Sequence, residues 1–313
     1  MKARNKNQPL KLLLATSLQD DDYLWVAVER LQKRLGASVH IVNIVEISPW
    51  LSIHNDRFQD VDQLIKAVTD TAQDEILRRK GDLGENVTFE TCLGDEVDEI
   101  IRVAVEKDMD AIVCGYHVQS GFIPAGFSTA LSLMGHSPIP TLVIPKDCER
   151  CFAHESFKML VADDLVADSS IEIDGAVDWA TMLGNCQVNH LHIDDYTADF
   201  KSKMMAQVVE KEPQFKAQLK ALRGELLKKM EDRGPYHTPA LEASGGKYTY
   251  QLAEGEVFEE LEKVNGEFDP DIVVFGRHKT VHRKPFHFGS VNFRYMMALK
   301  KPVLLFPRVE PQT

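Results

Sequence analysis

The 313-residue chain has no apolar run approaching the roughly 18–20 residues that a membrane-spanning helix requires. No membrane role is therefore expected. Residues Met1 to Pro9 are polar and basic and lack the apolar core of a signal peptide. Cysteine is scarce: five, an odd count in a long chain, is not a disulfide framework and predicts reduced thiols and a cytoplasmic setting. Positive charge is in deficit, with 36 Lys and Arg against 48 Asp and Glu and a net charge of −12. That balance argues against nucleic acid as a general partner, and it requires any bound anion to meet a local basic patch. No nucleophile elbow, complete P-loop, HExxH or paired-carboxylate signature occurs, so no catalytic residue is predicted.

What is present is enough for a folded core. With 44% hydrophobic and 27% charged residues the chain is not disordered, and its length is about that of two ordinary domains. An internal duplication gives the same division. Gly94 to Gly115 and Gly255 to Gly276 are two blocks related by one offset of 161 (276 minus 115, 255 minus 94). Each reads as glycine, acidic amphipathic helix, aspartate-bearing turn (Asp108-Met109-Asp110, Asp269-Pro270-Asp271), short apolar strand, glycine. Leu12–Thr16 and Met159–Asp163 read as opening strands. Helical patterns follow them and stop at Gly36 and Gly184, and second strands run over Val39–Val45 and Val188–Ile193. Each half closes on a Pro-flanked apolar strand, 140–145 and 302–307. Continuous apolar strands alternating with helices predict mostly parallel sheets covered on both faces.

The boundaries predicted are a first domain over 1–147, a linker over 148–156 and a second domain over 157–313. The second domain carries a helical insertion at about 198–233, whose Met204, Val208, Phe215, Leu219, Leu222 and Leu226 are spaced for one face against a sheet.

In such sheets ligands bind beyond the carboxyl ends of the strands, where strand order switches. The segments leaving Gly115 and Gly276 are thus the places to read. From Ala111 to Pro145 there is no charged residue. From Ile272 to Val309 there is no acid, while Arg277, Lys279, Arg283, Lys284, Arg294, Lys300, Lys301 and Arg308 supply the basic patch. Gly289-Ser290 precedes a helical pattern, and a helix start with a glycine next to it suits a phosphate group. The macrodipole contributes only about 0.3–1 kcal/mol, so the flanking cations must supply much of the rest. A solvated basic loop capped by Ser290 is the plainer reading.

The order strand, acidic helix, Asp-x-Asp strand, glycine, long loop, Gly-Ser, helix, Pro-Val-Leu strand resembles the universal stress protein (UspA-like) domain. The likeness covers nearly the whole chain, twice, so the chain resembles a tandem universal stress protein of the E type. The resemblance implies an α/β fold of two tandem Rossmann-like domains of the adenine nucleotide alpha hydrolase-like kind, each a mostly parallel sheet flanked by helices. It implies pairing of the two domains within one chain, with a homodimer also compatible. It further implies a stress-response regulator that binds ATP or another adenine nucleotide, with Mg as a companion ion, in the C-terminal domain. The family motif G-x2-G-x9-G-[S/T] falls on Gly276, Gly289 and Ser290, with Lys279 at the middle glycine. Phe275, Arg277 and Val291 flank these positions. Ala162, Asp163 and Asp164 at the end of the first strand, and Ile193 at the end of the second, stand where the family meets ribose and adenine. In the first half Gly115 matches, but Phe127-Ser128 stands at the Gly-Ser position and Ser17 opposite the aspartate, so no nucleotide triphosphate is expected there.

Three other readings stay open: a nucleotide-free interaction module, a weak ATP hydrolase, and a zinc-binding version. Zinc would use His190, His192 and Asp194, which alternate along one side of a strand. Cys148-Glu149-Arg150-Cys151, a lone CxxC, reads as two reduced surface thiols.

Overall fold

The computed structural model describes residues 9–46, 61–84, 86–116, 129–148, 151–165, 170–194, 213–233, 238–277, 295 and 301–307. The chain divides into two compact units between Ala153 and His154. In the first, the described strands are β1 (Lys11–Ala15), β2 (Ser38–Val45), β3 (Val87–Leu93), β4 (Ala111–Tyr116) and β5 (Thr141–Pro145). The helices are α1 (Asp22–Leu35), α2 (Val61–Arg79), α3 (Glu96–Glu106) and α4 (Thr129–His136). In the second, the strands are β6 (Phe157–Ala162), β7 (Cys186–Asp194), β8 (Lys247–Glu254), β9 (Ile272–Gly276) and β10 (Val303–Phe306). Its helices are α5 (Ser170–Leu183), α6 (Pro213–Arg233), α7 (Thr238–Ala243) and α8 (Val257–Phe268).

Within the first unit the strand order is β3-β2-β1-β4-β5, and within the second β8-β7-β6-β9-β10, with every pairing parallel. The central strands are buried on both faces: Leu12, Leu13 and Leu14 of β1 and Met159, Leu160 and Val161 of β6 are closed to solvent. Each such side chain contributes about 1.5–3 kcal/mol, which is why these runs are continuously apolar rather than alternating.

The register shows how far the duplication reaches. Leu12 stands opposite Val39 and Ala111, as Met159 stands opposite Val188 and Ile272. The Asp-x-Asp turns do the same work twice. Asp108 and Asp269 both take positive φ, 53° and 49°. Two residues on, the Asp110 carboxylate accepts from Lys11 N at 2.8 Å and the Asp271 carboxylate from Lys158 N at 2.9 Å. Each thereby satisfies a backbone donor at the start of the central strand. Gly94 and Gly255 are at φ 149° and 140°, where a side chain is strained, and each leads into a capped helix. Asp95 accepts from the amides of Val97 and Asp98 at the start of α3, and Glu256 from Glu259 at the start of α8. Such a cap stabilises by about 1 kcal/mol.

Two expectations are corrected. Cys148 and Cys151 are joined in a disulfide rather than standing as surface thiols. After β5 the chain turns so that Cys151 N donates to Cys148 O, and the two Cα atoms lie 5.5 Å apart, within disulfide reach. Cys148 is half-buried and Cys151 buried. The helical insertion is helical from Pro213, but Leu222, assigned to the covered face, is exposed. Leu226 of the predicted face is half-buried, and Arg223 and Met230 turn inward with it. Arg223 pairs with Glu254 of β8, and Tyr250 donates to Glu231, so polar contacts seat this helix along an edge strand. Met204 and Val208 lie outside the described residues.

Candidate functional site

The strand order reverses between β6 and β9 in the second domain and between β1 and β4 in the first, so the ends of these strands define two equivalent sites. Their frame is shared. Asp163 N donates to Leu191 O, and Thr16 N to Val42 O. His192 Nδ1 donates to the Asp163 carbonyl at 2.8 Å, and Asn43 Nδ2 to the Thr16 carbonyl at 2.9 Å. Asp163 Oδ1 accepts from Leu165 N at 2.8 Å, and Thr16 Oγ1 from Leu18 N at 3.0 Å. Leu165 and Leu18 both adopt the left-handed conformation, φ 57° and 63°. For leucine that is an uncommon state, sustained here because the side-chain acceptor two residues earlier closes the turn.

Beyond this frame the sites diverge. In the second domain Asp163 Oδ2 lies 2.9 Å from His190 Nε2, and His190 Nδ1 lies 2.8 Å from the Tyr248 hydroxyl. The side chains of Asp163 and His190 are both fully closed to solvent. A carboxylate only accepts, so Nε2 carries the proton, and in the neutral ring Nδ1 then accepts from Tyr248. In the first domain the register places Thr16, Ile41 and Val87 at the positions of Asp163, His190 and Tyr248. There Thr16 Oγ1 donates instead to buried Asp21, whose carboxylate meets Arg79 Nη1 at 2.7 Å. Arg79 also bonds Glu75 at 2.6 Å and lies over the Trp25 ring. Burial opposes the charge on Arg79, but the Glu75 and Asp21 carboxylates outweigh it and hold its pKa above the usual value.

The glycines near the ends of β4 and β9 are each covered by a side chain from the first turn of the helix that follows the central strand, α1 or α5. Tyr23 lies over Gly115; burial, then the nearby Cys114 and Asp21, push its hydroxyl up to about 12. Glu172 lies over Gly276, where an added Cβ would come within 2.7 Å of its Cδ, and Glu172 is only 4% exposed. Helix geometry explains the placement. Gly175, one turn after Glu172, lets α5 settle against the Phe306 ring, and Phe306 is the register neighbour of Gly276. Residues three apart share a helix face, so Glu172 must fall on Gly276.

Of the predicted residues, Ala162, Phe275 and Gly276 come together at the ends of β6 and β9, with Ala162 opposite Phe275. Phe275 is buried against Tyr295, edge to face, with ring centroids 5.2 Å apart. Arg277 follows, its N bonded to Phe306 O at 2.9 Å, and burial lowers its pKa. Asp163 and Asp164 separate in character: the first is closed in, the second exposed. Ile193 is half-buried opposite Ala253 and, by strand alternation, lies on the other face of β7 from His190 and His192. Lys279, Gly289, Ser290 and Val291 lie outside the described residues. The zinc candidates have other engagements: both ring nitrogens of His190 and Nδ1 of His192 are hydrogen-bonded, and Asp194 lies 3.6 Å from Arg223. Among the described residues no group of three or more His, Cys, Asp or Glu could hold a metal ion. Among them, too, no helix is long and apolar enough to cross a membrane.

Sequence reasoning missed Tyr248, Glu172, Tyr23, Asp21 and Arg79. Tyr248 stands 58 positions from its partner His190, as Arg79 does from Asp21, and no local pattern marks either pair.

Comparison with known proteins agrees with this architecture. The sequence model of the universal stress protein family matches residues 11–145 and again 156–307. A universal stress protein from Archaeoglobus fulgidus is similar in fold, with a TM-score of 0.66 and 14% identity, over 96% of this chain and 100% of that one. A functionally unknown protein from Pseudomonas aeruginosa PAO1 has a TM-score of 0.57 and 13% identity, over 97% and 94%. A putative universal stress protein from P. aeruginosa UCBPP-PA14 gives 0.55 and 13%, over 96% and 94%. No curated protein matches the sequence. Matched twice over almost its full length by one family model, the chain belongs to the universal stress protein family, with two such domains in tandem.

Proposed function

We propose that the protein is a stress-response regulator whose second domain binds an adenine nucleotide and whose first domain does not. One observation carries this reading: the two strand-switch sites share a frame but differ in chemistry. The second joins the exposed Asp164 to a turn anchored by Asp163, beside Gly276, with Arg277 opening the basic segment of the sequence. The first has Ser17 in place of Asp164, Tyr23 over its glycine and no charged residue from Ala111 to Pro145. Asp164 would accept hydrogen bonds from ribose or adenine. Gly276, Gly289 and Ser290 would lie along the phosphates, with Arg277 and Lys279 offsetting their charge. Mg would accompany the phosphates as a counter-ion. Binding rather than turnover is proposed, because the sequence carries no nucleophile-elbow, complete P-loop or paired-carboxylate signature.

A second reading, a nucleotide-free interaction module, is favoured by Glu172. A buried carboxylate over Gly276 opposes an approaching phosphate. One experiment separates the two. Mass spectrometry of the purified protein, with calorimetry against Mg-ATP, should find an adenine nucleotide held by the wild type. Gly289→Leu should lose it and a matched change at Phe127 should not. Retention by Gly289→Leu, or no heat with any adenine nucleotide, selects the module.

A further inference from the structure

We infer that His190 and Tyr248 are positioning residues for the nucleotide site, acting through Asp163 on the turn that presents Asp164; this rests on the nucleotide reading above. The first domain shows why the relay is more than a requirement of folding. It makes the same turn with threonine, fills the His190 position with Ile41, and keeps that position fully buried and apolar. An apolar residue at this position is therefore compatible with this sheet. Yet the second domain buries an imidazole and a carboxylate and half-buries a phenol, groups that are costly inside a protein unless their hydrogen bonds are made.

Here those bonds converge on one residue. The backbone N–H of Asp163 is tied to Leu191, its carbonyl to His192, Oδ1 to Leu165 N and Oδ2 to His190. Tyr248, on the edge strand β8, holds the far nitrogen of His190 and packs edge to face on its ring, fixing one tautomer. Asp163 and Leu165 are thereby pinned on either side of Asp164, the exposed residue between them. A ligand meeting Asp164 finds it already placed, so less ordering accompanies binding. Asp163 and His190, closed to solvent, need not touch the ligand.

The test uses the full-length protein and three variants: His190→Leu, which removes the donor to Asp163; His190→Gln, which retains a donor at the Nε2 position; and Val273→Ala, a buried change on β9 outside the relay. Hydrogen exchange at the Leu165 amide is read without ligand, and affinity is read with Mg-ATP. His190→Leu should speed exchange at Leu165 and weaken Mg-ATP by about tenfold, the loss expected for one buried hydrogen bond. His190→Gln should restore both, and Val273→Ala should change neither while lowering stability. Equal exchange at Leu165 in His190→Leu and Val273→Ala overturns the inference. So does His190→Leu binding Mg-ATP as tightly as wild type. A wild type that binds no nucleotide overturns the function proposed above, and the relay is then decided by the Leu165 exchange alone.

Discussion

His192 holds the backbone carbonyl of Asp163 through Nδ1 at 2.8 Å, from the register position at which Asn43 holds that of Thr16 at 2.9 Å. Different residue types meet one demand: a buried carbonyl beyond the last ladder bond of the central strand needs a donor, and the neighbouring strand supplies it. His192→Asn should therefore be tolerated, because asparagine does this work in the first domain. His192→Leu leaves the carbonyl without that donor and should destabilise by about 1–3 kcal/mol. Urea unfolding of the two variants checks this; equal loss in both would mean that packing rather than the hydrogen bond matters.

Gly276→Ala should destabilise. Where space allows, replacing glycine with alanine stabilises by about 0.4–1 kcal/mol. Here the new Cβ would meet Glu172 Cδ at 2.7 Å, and overpacking costs about 1–3 kcal/mol. The clash belongs to one side chain, so Glu172→Ala should relieve it, and the double variant should be more stable than the sum of the singles predicts. Thermal unfolding of the four proteins reads the coupling.

Acid should weaken the first domain through His40 and Glu90, which bond at 2.8 Å. Burial is the largest influence on His40 and lowers its pKa from the ordinary 6.5, against the raising effect of Glu90. Its share of stability is present above pH 6.5 and is lost as the pH falls towards the folded value, because the unfolded chain takes up the proton first. Glu90 is raised by burial, but His40 and Lys107 outweigh this and hold it below the usual 4.5, so its share is lost only below that pH. The two losses have the same sign and successive windows. As the pH falls below 6.5 the melting temperature of the wild type should fall more than that of His40→Gln. Parallel curves would remove His40 from the account.

Thiol counting tests the disulfide. Unfolded without reductant, the protein should alkylate at Cys92, Cys114 and Cys186, and after reduction at all five cysteines. In the native state Cys114 should resist alkylation, since burial pushes its thiol up to about 12 and little thiolate exists at neutral pH. Five labels without reductant would exclude the Cys148–Cys151 bond.

The fold was legible because its signals are local and repeated. Leu12, Leu13 and Leu14 announce a strand buried on both faces, and Asp108-Met109-Asp110 with Asp269-Pro270-Asp271 announces one turn used twice. Gly36, predicted as a helix stop, takes φ 59° and bonds back to Gln32 O. Leu222 of α6 is exposed against its apolar spacing, because that spacing does not register Arg223, which seats the helix by ion pairs. The disulfide was misread because compartment and count say nothing about a turn that brings two cysteines within reach.

The sequence by itself determined two α/β domains, the order of their elements, and the strand ends at which a ligand would be met. These follow from hydrophobic period, turn chemistry and the repeat, all set within a few residues along the chain. Only the tertiary structure decided which of two adjacent aspartates faces solvent, what anchors the other, and which side chain stands over each strand-end glycine. Those outcomes depend on contacts such as Tyr248 with His190 and Glu172 with Gly276, made between segments far apart in sequence once sheet register and helix packing are fixed.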